Sequence, residues 1–248
     1  MSIEKQSWRL FVSGAGVAGD VLTLGEDEHH YAFHVLRLQA GEHIEVGDGR
    51  GFVADAVLTR VDKKGAEVSL LVVRPERRAA CRVTLFLAQP KPSTLEEVVA
   101  LVSELGVARV VVFRSRRCQG KAPAKLEKLQ RLSFETLRVT KGFRATEVVI
   151  VDTAAALEIE HAAAGRLFLC DETPQSEGND LASAIARAPE GDVGIIVGPE
   201  ASFTIDERSE FQRKGALPVS LGPLILRVPT AVAYAASVVL AARCARWA

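Results

Sequence analysis

The order of apolar and polar positions changes period along the chain. Up to residue 73 apolar and polar residues alternate. Arg9-Leu10-Phe11-Val12 reads as a short strand, and Gly14, Gly16 and Gly19 mark the loop after it. Phe33, Leu36 and Leu38, with polar or charged residues between them, predict a short helix over 29–38 that Gly41 ends. Residues 42–46 alternate again, and Gly47-Asp48-Gly49-Arg50-Gly51 has the composition of a tight hairpin turn. Residues 52–60 and 66–73 continue the alternation across a turn at 62–65. Short strands at this spacing predict a small β-barrel.

From Val83 the apolar runs become continuous and alternate with helical periods. Strands are expected at 83–88, 110–113, 148–151 and 166–170. A helix follows the first of them, with Ser93 or Thr94 as its cap and Glu96 and Glu97 in its first turn. Leu95, Val98, Val99, Leu101 and Val102 form its apolar face and Gly106 closes it. Further helices are expected at 123–141, 153–164, 180–188 and 231–246. Strands alternating with helices predict an α/β domain with a mostly parallel sheet. The polar, Pro-containing run Arg74-Pro75-Glu76-Arg77-Arg78 places a boundary between domains 1–74 and 75–248.

Two late apolar runs end in Gly-Pro: Ile195-Ile196-Val197-Gly198-Pro199-Glu200 and Leu217-Pro218-Val219-Ser220-Leu221-Gly222-Pro223. They predict neighbouring buried strands, each delivering a tight loop. Such loops would set free backbone N–H and C=O groups side by side at the carboxyl edge of a sheet, where a polar cofactor can be held. Two ordinary strand-to-helix turns would have the same spelling. No G-x-G-x-x-G or Walker A pattern occurs.

Composition refines this picture in three places. The chain has 31 Lys and Arg against 31 Asp and Glu, so it is not a globally basic nucleic-acid binder. Residues 109–144 nonetheless hold eleven basic and only two acidic residues. Such a run favours a phosphate backbone, with a solvated helix face as the alternative. The four cysteines are widely spaced, which suits reduced thiols and neither a zinc site nor a disulfide framework. Residues 1–8 lack a signal-peptide core, and the Ala-rich run 231–242 is too short to span a bilayer. A cytoplasmic protein without a membrane partner is expected. His29, His30 and His34 read as RNA-facing or structural, and no metal is expected.

Several motifs, in order, carry a family resemblance: His34-Val35-Leu36-Arg37, Gly41, Gly47-Asp48-Gly49-Arg50-Gly51, Glu104-Leu105-Gly106-Val107, Ser115-Arg116-Arg117-Cys118, Gly198-Pro199-Glu200 and Leu221-Gly222-Pro223-Leu224-Ile225-Leu226-Arg227. The succession resembles the RsmE family of the SPOUT superfamily, methyltransferases acting on N3 of a uridine in 16S ribosomal RNA. The resemblance implies a PUA-like N-terminal β-barrel that helps bind RNA, and a SPOUT-type α/β domain whose end is threaded into a trefoil knot. It implies S-adenosylmethionine as cofactor, small-subunit ribosomal RNA as substrate, and a homodimer with the site near the subunit interface. The cofactor would be held around Leu169, Ile196, Gly198, Pro199, Glu200, Ser220, Leu221, Gly222 and Leu226. Arg227 would stabilise the uridine anion as the catalytic residue, or be an arginine paired to Glu200. RNA phosphates would meet Arg9, Arg37, Arg114, Arg116, Arg117, Lys121 and Arg144.

The chain departs from the family pattern in three places. Gly-Pro-Glu-Gly-Gly becomes Gly198-Pro199-Glu200-Ala201-Ser202, so a loop that expects glycine must bend differently or carry strain. Leu-Arg-Thr-Glu-Thr-Ala becomes Leu226-Arg227-Val228-Pro229-Thr230-Ala231, which loses a carboxylate. The family's Gln-x-Gly-Arg segment corresponds here to Val139-Thr140-Lys141-Gly142-Phe143-Arg144, so the Gln and the first Arg are missing while Lys141 and Arg144 keep positive charge nearby. Two other readings are compatible with these changes: a relative with a changed RNA target, and an RNA-binding relative without catalysis.

Overall fold

The computed structural model describes residues 8–75, 81–118, 125–151, 166–172 and 179–243. The helix expected over 153–164 and Lys121 lie outside them. The chain forms two compact units, one of Met1–Arg77 with Leu137–Ala145, the other of Arg78–Thr136 with Thr146–Ala248.

In the first unit β1 (Arg9–Phe11), β2 (Val21–Thr23), β3 (His43–Gly47), β4 (Val53–Asp62) and β5 (Gly65–Val73) form one sheet in the order β1-β3-β4-β5-β2. β3, β4 and β5 are an antiparallel meander, while β1 runs parallel to β3. The period-two pattern explains its core: Ala54, Ala56 and Leu58 on β4 and Val68 and Leu70 on β5 are buried together with Leu10, Ile44 and Val46. Strand β2 carries no alternation long enough to read from the sequence. The helix expected over 29–38 starts earlier, as α1 (Glu26–His30), and runs on as one π-helical turn (Tyr31–Val35). Glu26, Asp27 and Glu28 lie in its first turn, where the helix dipole favours carboxylates.

Polar groups join the returning segment Leu137–Ala145 to this unit. Arg138 pairs with Glu28, and its guanidinium lies 4.6 Å from the Phe11 ring centroid and 4.5 Å from that of Tyr31. Arg9 Nε donates to Glu45 Oε1 at 2.5 Å, and Arg9 also donates to the Gly142 carbonyl. Lys141 has its pKa lowered, first by burial; the nearby Glu45 charge opposes this and the Arg9 and Arg74 charges add to it.

The second unit is a parallel six-stranded sheet in the order β11-β9-β10-β6-β7-β8. Its strands are β6 (Val83–Ala88), β7 (Arg109–Phe113), β8 (Glu147–Val151), β9 (Arg166–Cys170), β10 (Val193–Val197) and β11 (Leu217–Val219). Successive side chains point to opposite faces, so both faces are apolar. Leu85, Leu87 and Ile195 pack with α2 (Pro92–Leu105), α4 (Leu181–Arg187) and α6 (Val228–Arg243). Phe86, Phe113, Leu169 and Ile196 pack with Phe203 and with Phe211 of α5 (Ile205–Arg213). The remaining helix, α3 (Leu126–Thr140), contributes Leu129 to the first of these clusters.

The start of α2 differs from the expectation. Lys91 is its N-cap and Pro92 its first residue, so Ser93 and Thr94 are already inside, and no acidic residue lies in the first turn. Proline is suited to this position because its missing N–H would be unpaired there anyway. Gly106 closes α2 in the left-handed conformation at φ 81°.

Candidate active site

At the carboxyl edge of the sheet the ends of β9, β10 and β11 border a cleft of about 430 Å³. The two Gly-Pro loops do not come from neighbouring strands: β9 lies between β10 and β11, pairing with both. Three neighbouring strand ends therefore contribute to the cleft, and Lys91 and Thr94 beyond β6 add to its lining. Gly198, Pro199 and Glu200 line it from one side, Leu221, Gly222, Leu226 and Arg227 from the other, and Cys170, Asp171 and Glu172 from between.

The loop after β10 is built as a fixed wall. A Cβ on Gly198 would stand 3.3 Å from the Phe203 ring, so the backbone runs against that side chain. Ser202 takes φ 58°, the left-handed conformation that glycine adopts without cost. Its N–H donates to the Pro199 carbonyl at 2.9 Å, and its hydroxyl donates to Glu172. The substitution away from glycine thus keeps the bend and adds a side-chain tether. Thr204 caps α5 in a capping box: its hydroxyl accepts from the Glu207 N–H and Glu207 Oε2 accepts from the Thr204 N–H at 2.9 Å. Arg117 Nη1 donates to the Ala201 carbonyl at 3.3 Å, and the Lys91 N–H donates to Glu200 Oε1 at 3.2 Å.

The loop after β11 is open. Gly222 needs glycine at φ 117°. Leu224 and Ile225 line the cleft yet are 75% and 85% exposed. Among the described residues the backbone groups of Leu224, Ile225 and Leu226 make no hydrogen bond. Arg227 is exposed at the cleft and, among the described residues, its side chain has no ion pair; the alternative pairing with Glu200 is not formed. Pro229 is buried as the second residue of α6.

Leu169, Ile196 and Ser220 do not line the cleft. Leu169 and Ile196 face each other in register and are fully buried. The Ser220 N–H donates to Asn179, and its carbonyl accepts from Leu181. All three support the lining residues from behind. Cys170 has its pKa pushed up to about 12, first by burial and then by the charge of Asp171. Its thiol is therefore neutral and no nucleophile. Asp171 is buried and lies 3.4 Å from Arg208 Nη1.

The expected phosphate contacts separate. Arg9 is 4% exposed and engaged with Glu45 and Gly142, so it holds the first unit together and is not offered to RNA; a side chain this buried keeps its charge only by being paired. Arg37 is exposed, at φ 55°. Arg114, Arg116 and Arg117 are exposed on the loop after β7. Arg116 pairs with Asp206 at 2.8 Å, and its N–H donates to Glu207 at 2.7 Å, which fixes this basic loop against α5. Arg144 is exposed and bridges Arg50.

Glu172, Ser202, Leu224 and Ile225 are lining residues that were not expected as site residues. The signal for Glu172 is its position two residues beyond a buried strand, at the carboxyl edge where α/β sheets bind ligands. Helix α5 was not expected from the sequence either; its signal is Thr204-x-x-Glu207, a capping-box spelling.

The cleft's chemistry fits an adenosyl sulfonium ligand. Unpaired backbone donors and acceptors suit a purine edge, Leu224 and Ile225 suit its faces, and Glu172 suits hydroxyls or a cation.

Comparison with known proteins agrees with this arrangement. A family model described as an RNA methyltransferase domain matches residues 77–240, and one described as an RNA methyltransferase PUA domain matches residues 24–71. The ribosomal RNA small subunit methyltransferase E of Synechocystis is 30% identical over 227 residues, covering 91% of this chain and 74% of the relative. That of Mycobacterium tuberculosis is 29% identical over 228 residues, covering 88% and 85%. The crystal structure of the Neisseria gonorrhoeae methyltransferase E bound to S-adenosyl methionine shares the fold, with a TM-score of 0.83 at 23% identity over 95% of this chain and 98% of that one. By its PUA-like N-terminal unit, its parallel α/β unit and these matches, the chain belongs to the RNA methyltransferase family, among the small-subunit ribosomal RNA methyltransferases E.

Proposed function

We propose that this chain transfers a methyl group from S-adenosylmethionine to N3 of a uridine in 16S ribosomal RNA. The observation that carries the reading is an exposed Arg227, without an ion pair among the described residues, at a cleft walled by two Gly-Pro loops at the carboxyl edge of the sheet. When bound, S-adenosylmethionine supplies a methyl group already activated on a sulfonium. The residues here must align it with the attacking nitrogen and keep water out. The unpaired backbone groups of 224–226 hold the adenine, and Gly198 and Gly222 let the loops approach it. The uridine N3–H is a weakly acidic imide, so its proton leaves and the ring becomes an anion. Arg227 stabilises that anion as a fixed cation. Arg114, Arg116 and Arg117, on a loop tied to the Gly198–Thr204 wall, hold the phosphates beside the target base.

The bend kept at Ser202 supports an active enzyme over a binding relative. The reading includes a homodimer, a trefoil knot in the second unit and a cytoplasmic location; among the described residues no helix is long and apolar enough to cross a membrane.

Calorimetric titration with S-adenosylmethionine, followed by incubation of labelled cofactor with unmodified small-subunit RNA, tests the proposal. Absence of binding at millimolar cofactor would sink it. Binding with label on bulk RNA but none on small-subunit RNA would move the enzyme to another target.

A further inference from the structure

We infer that Glu172 is the group that reads and removes the N3 proton of the target uridine, working together with Arg227. Both side chains border the same cleft and both residues are exposed, yet among the described residues they form no ion pair with each other. Opposite charges left apart in one cleft suit a ligand that meets both. The imide edge of a uracil ring is such a ligand, an N–H donor between two carbonyl acceptors. Glu172 accepts from the N–H while Arg227 donates to a flanking oxygen.

The reaction needs a proton acceptor, and most titratable groups at the cleft do not supply one. Arg227 does not give up its proton, and Lys91 is an exposed ammonium. Cys170 is held protonated, its pKa pushed up to about 12 by burial and by the Asp171 charge. Asp171 is buried against Arg208, 3.4 Å from its Nη1. Two carboxylates are left. Glu200 Oε1 accepts the Lys91 N–H at 3.2 Å, which ties that side chain to the start of α2. Glu172 follows β9, the strand that lies between the two loops. The Ser202 hydroxyl donates to its Oε1, and among the described residues Oε2 has no partner. Ser202 is thus a positioning residue, at a place where the family pattern has glycine.

The step balances as follows in atoms and electrons. The N3–H bond breaks and the proton goes to Glu172 Oε2. Its electron pair stays on N3 and forms the bond to the methyl carbon, the pair of the broken S–C bond remaining on sulfur. Proton transfer from an imide to a carboxylate is uphill by itself. The Arg227 charge beside the carbonyl oxygens, where the negative charge spreads, draws it forward. The proton then passes from Glu172 to water.

The inference rests on the methyltransferase reading, and the two fail differently. Single-turnover methyl transfer by the full chain is followed from about pH 6 to about pH 9. The wild type should be level over that range. Glu172→Gln should lower the rate at neutral pH by about 10²-fold and make it rise about tenfold per pH unit, since hydroxide must then take the proton. Two further measurements do not depend on turnover. Calorimetry should find cofactor affinity in Glu172→Gln within about twofold of wild type. Anisotropy without cofactor should find transcribed small-subunit RNA with the target uridine bound roughly 10-fold more tightly than the same RNA with cytidine there, whose N3 carries no proton. In Glu172→Gln that preference should vanish, because an amide donates as well as accepts. A level pH profile with the uridine preference kept in Glu172→Gln would overturn the inference. So would a large loss of cofactor affinity, which would assign the carboxylate to the cofactor, or the steep pH dependence appearing in Glu200→Gln instead. Failure of the underlying reading would show in the wild type, as absence of cofactor binding or of label on RNA.

Discussion

The two loops that wall the cleft have similar spellings and opposite physical characters. Gly198–Thr204 is bonded on every side: to Phe203 by packing, to Glu172 through Ser202, to α5 through the Thr204–Glu207 box, and to Arg117 and Lys91. Leu221–Arg227 leaves two large apolar side chains and one arginine exposed and, among the described residues, the backbone of three residues without partners. A fixed wall keeps its shape whether or not a ligand is present. An open one holds binding groups that folding itself does not use. The difference shows where the molecule keeps unspent interaction energy for its cofactor, its RNA or a second copy.

Substitutions can break this comparison. Arg227→Ala should have the largest effect, lowering kcat by about 10²–10³-fold, the scale of losing one preorganised group at a developing anion. Calorimetry should find cofactor affinity nearly unchanged; normal turnover would remove Arg227 from the mechanism. In the fixed wall, Ser202→Val should destabilise the protein by about 2 kcal/mol in denaturant unfolding, because a β-branched residue resists φ 58°. Ser202→Gly should stay within about 1 kcal/mol of wild type, since relief of strain offsets the lost hydroxyl bond. In the open wall, Leu224→Ser and Ile225→Ser should change stability by no more than about 0.5 kcal/mol, yet weaken cofactor binding. Equal destabilisation from both loops would show that they do not differ in kind.

The smallest effect concerns Cys170, which lines the cleft between the two loops. With its pKa pushed up to about 12, the thiol stays protonated in the fold while the unfolded chain ionises near the ordinary thiol value. Its contribution to stability is fully present below that ordinary value and is lost as pH rises through it toward about 12. Mass spectrometry after brief alkylation near pH 8 should find Cys118 modified and Cys170, equally half-exposed but held protonated, untouched. Rapid labelling of Cys170 would mean that its thiol ionises near the ordinary value.

The legible parts of the fold are those whose signals are local. The alternation through Ala54, Ala56 and Leu58 and the continuous runs of β6, β7 and β10 state their period within a few residues. Gly106 announces the end of α2 as the left-handed cap. Strand β2 was illegible because three residues carry no period, and the start of α1 because its acidic first turn has no Ser or Thr before it. In the site, the Gly-Pro loops were legible and their support was not. Nothing near Ser202 in sequence indicates that Glu172, thirty residues away, accepts its hydroxyl.

Arg9 shows the same limit in one side chain. Its residue type and position suit an RNA contact as well as a structural one. Only the buried Glu45 and the Gly142 carbonyl, 36 and 133 residues distant, turn it inward. Sequence by itself determined most of the strands and helices among the described residues and the order of α/β elements after Val83, because period, turn residues and motifs are properties of consecutive residues. Tertiary structure alone decided that β9 lies between β10 and β11, that residues 137–145 return to the first unit, and that Arg50 faces Arg144. Those arrangements follow from pairings between segments far apart, where burial and charge neutralisation choose among partners that the local sequence leaves equivalent.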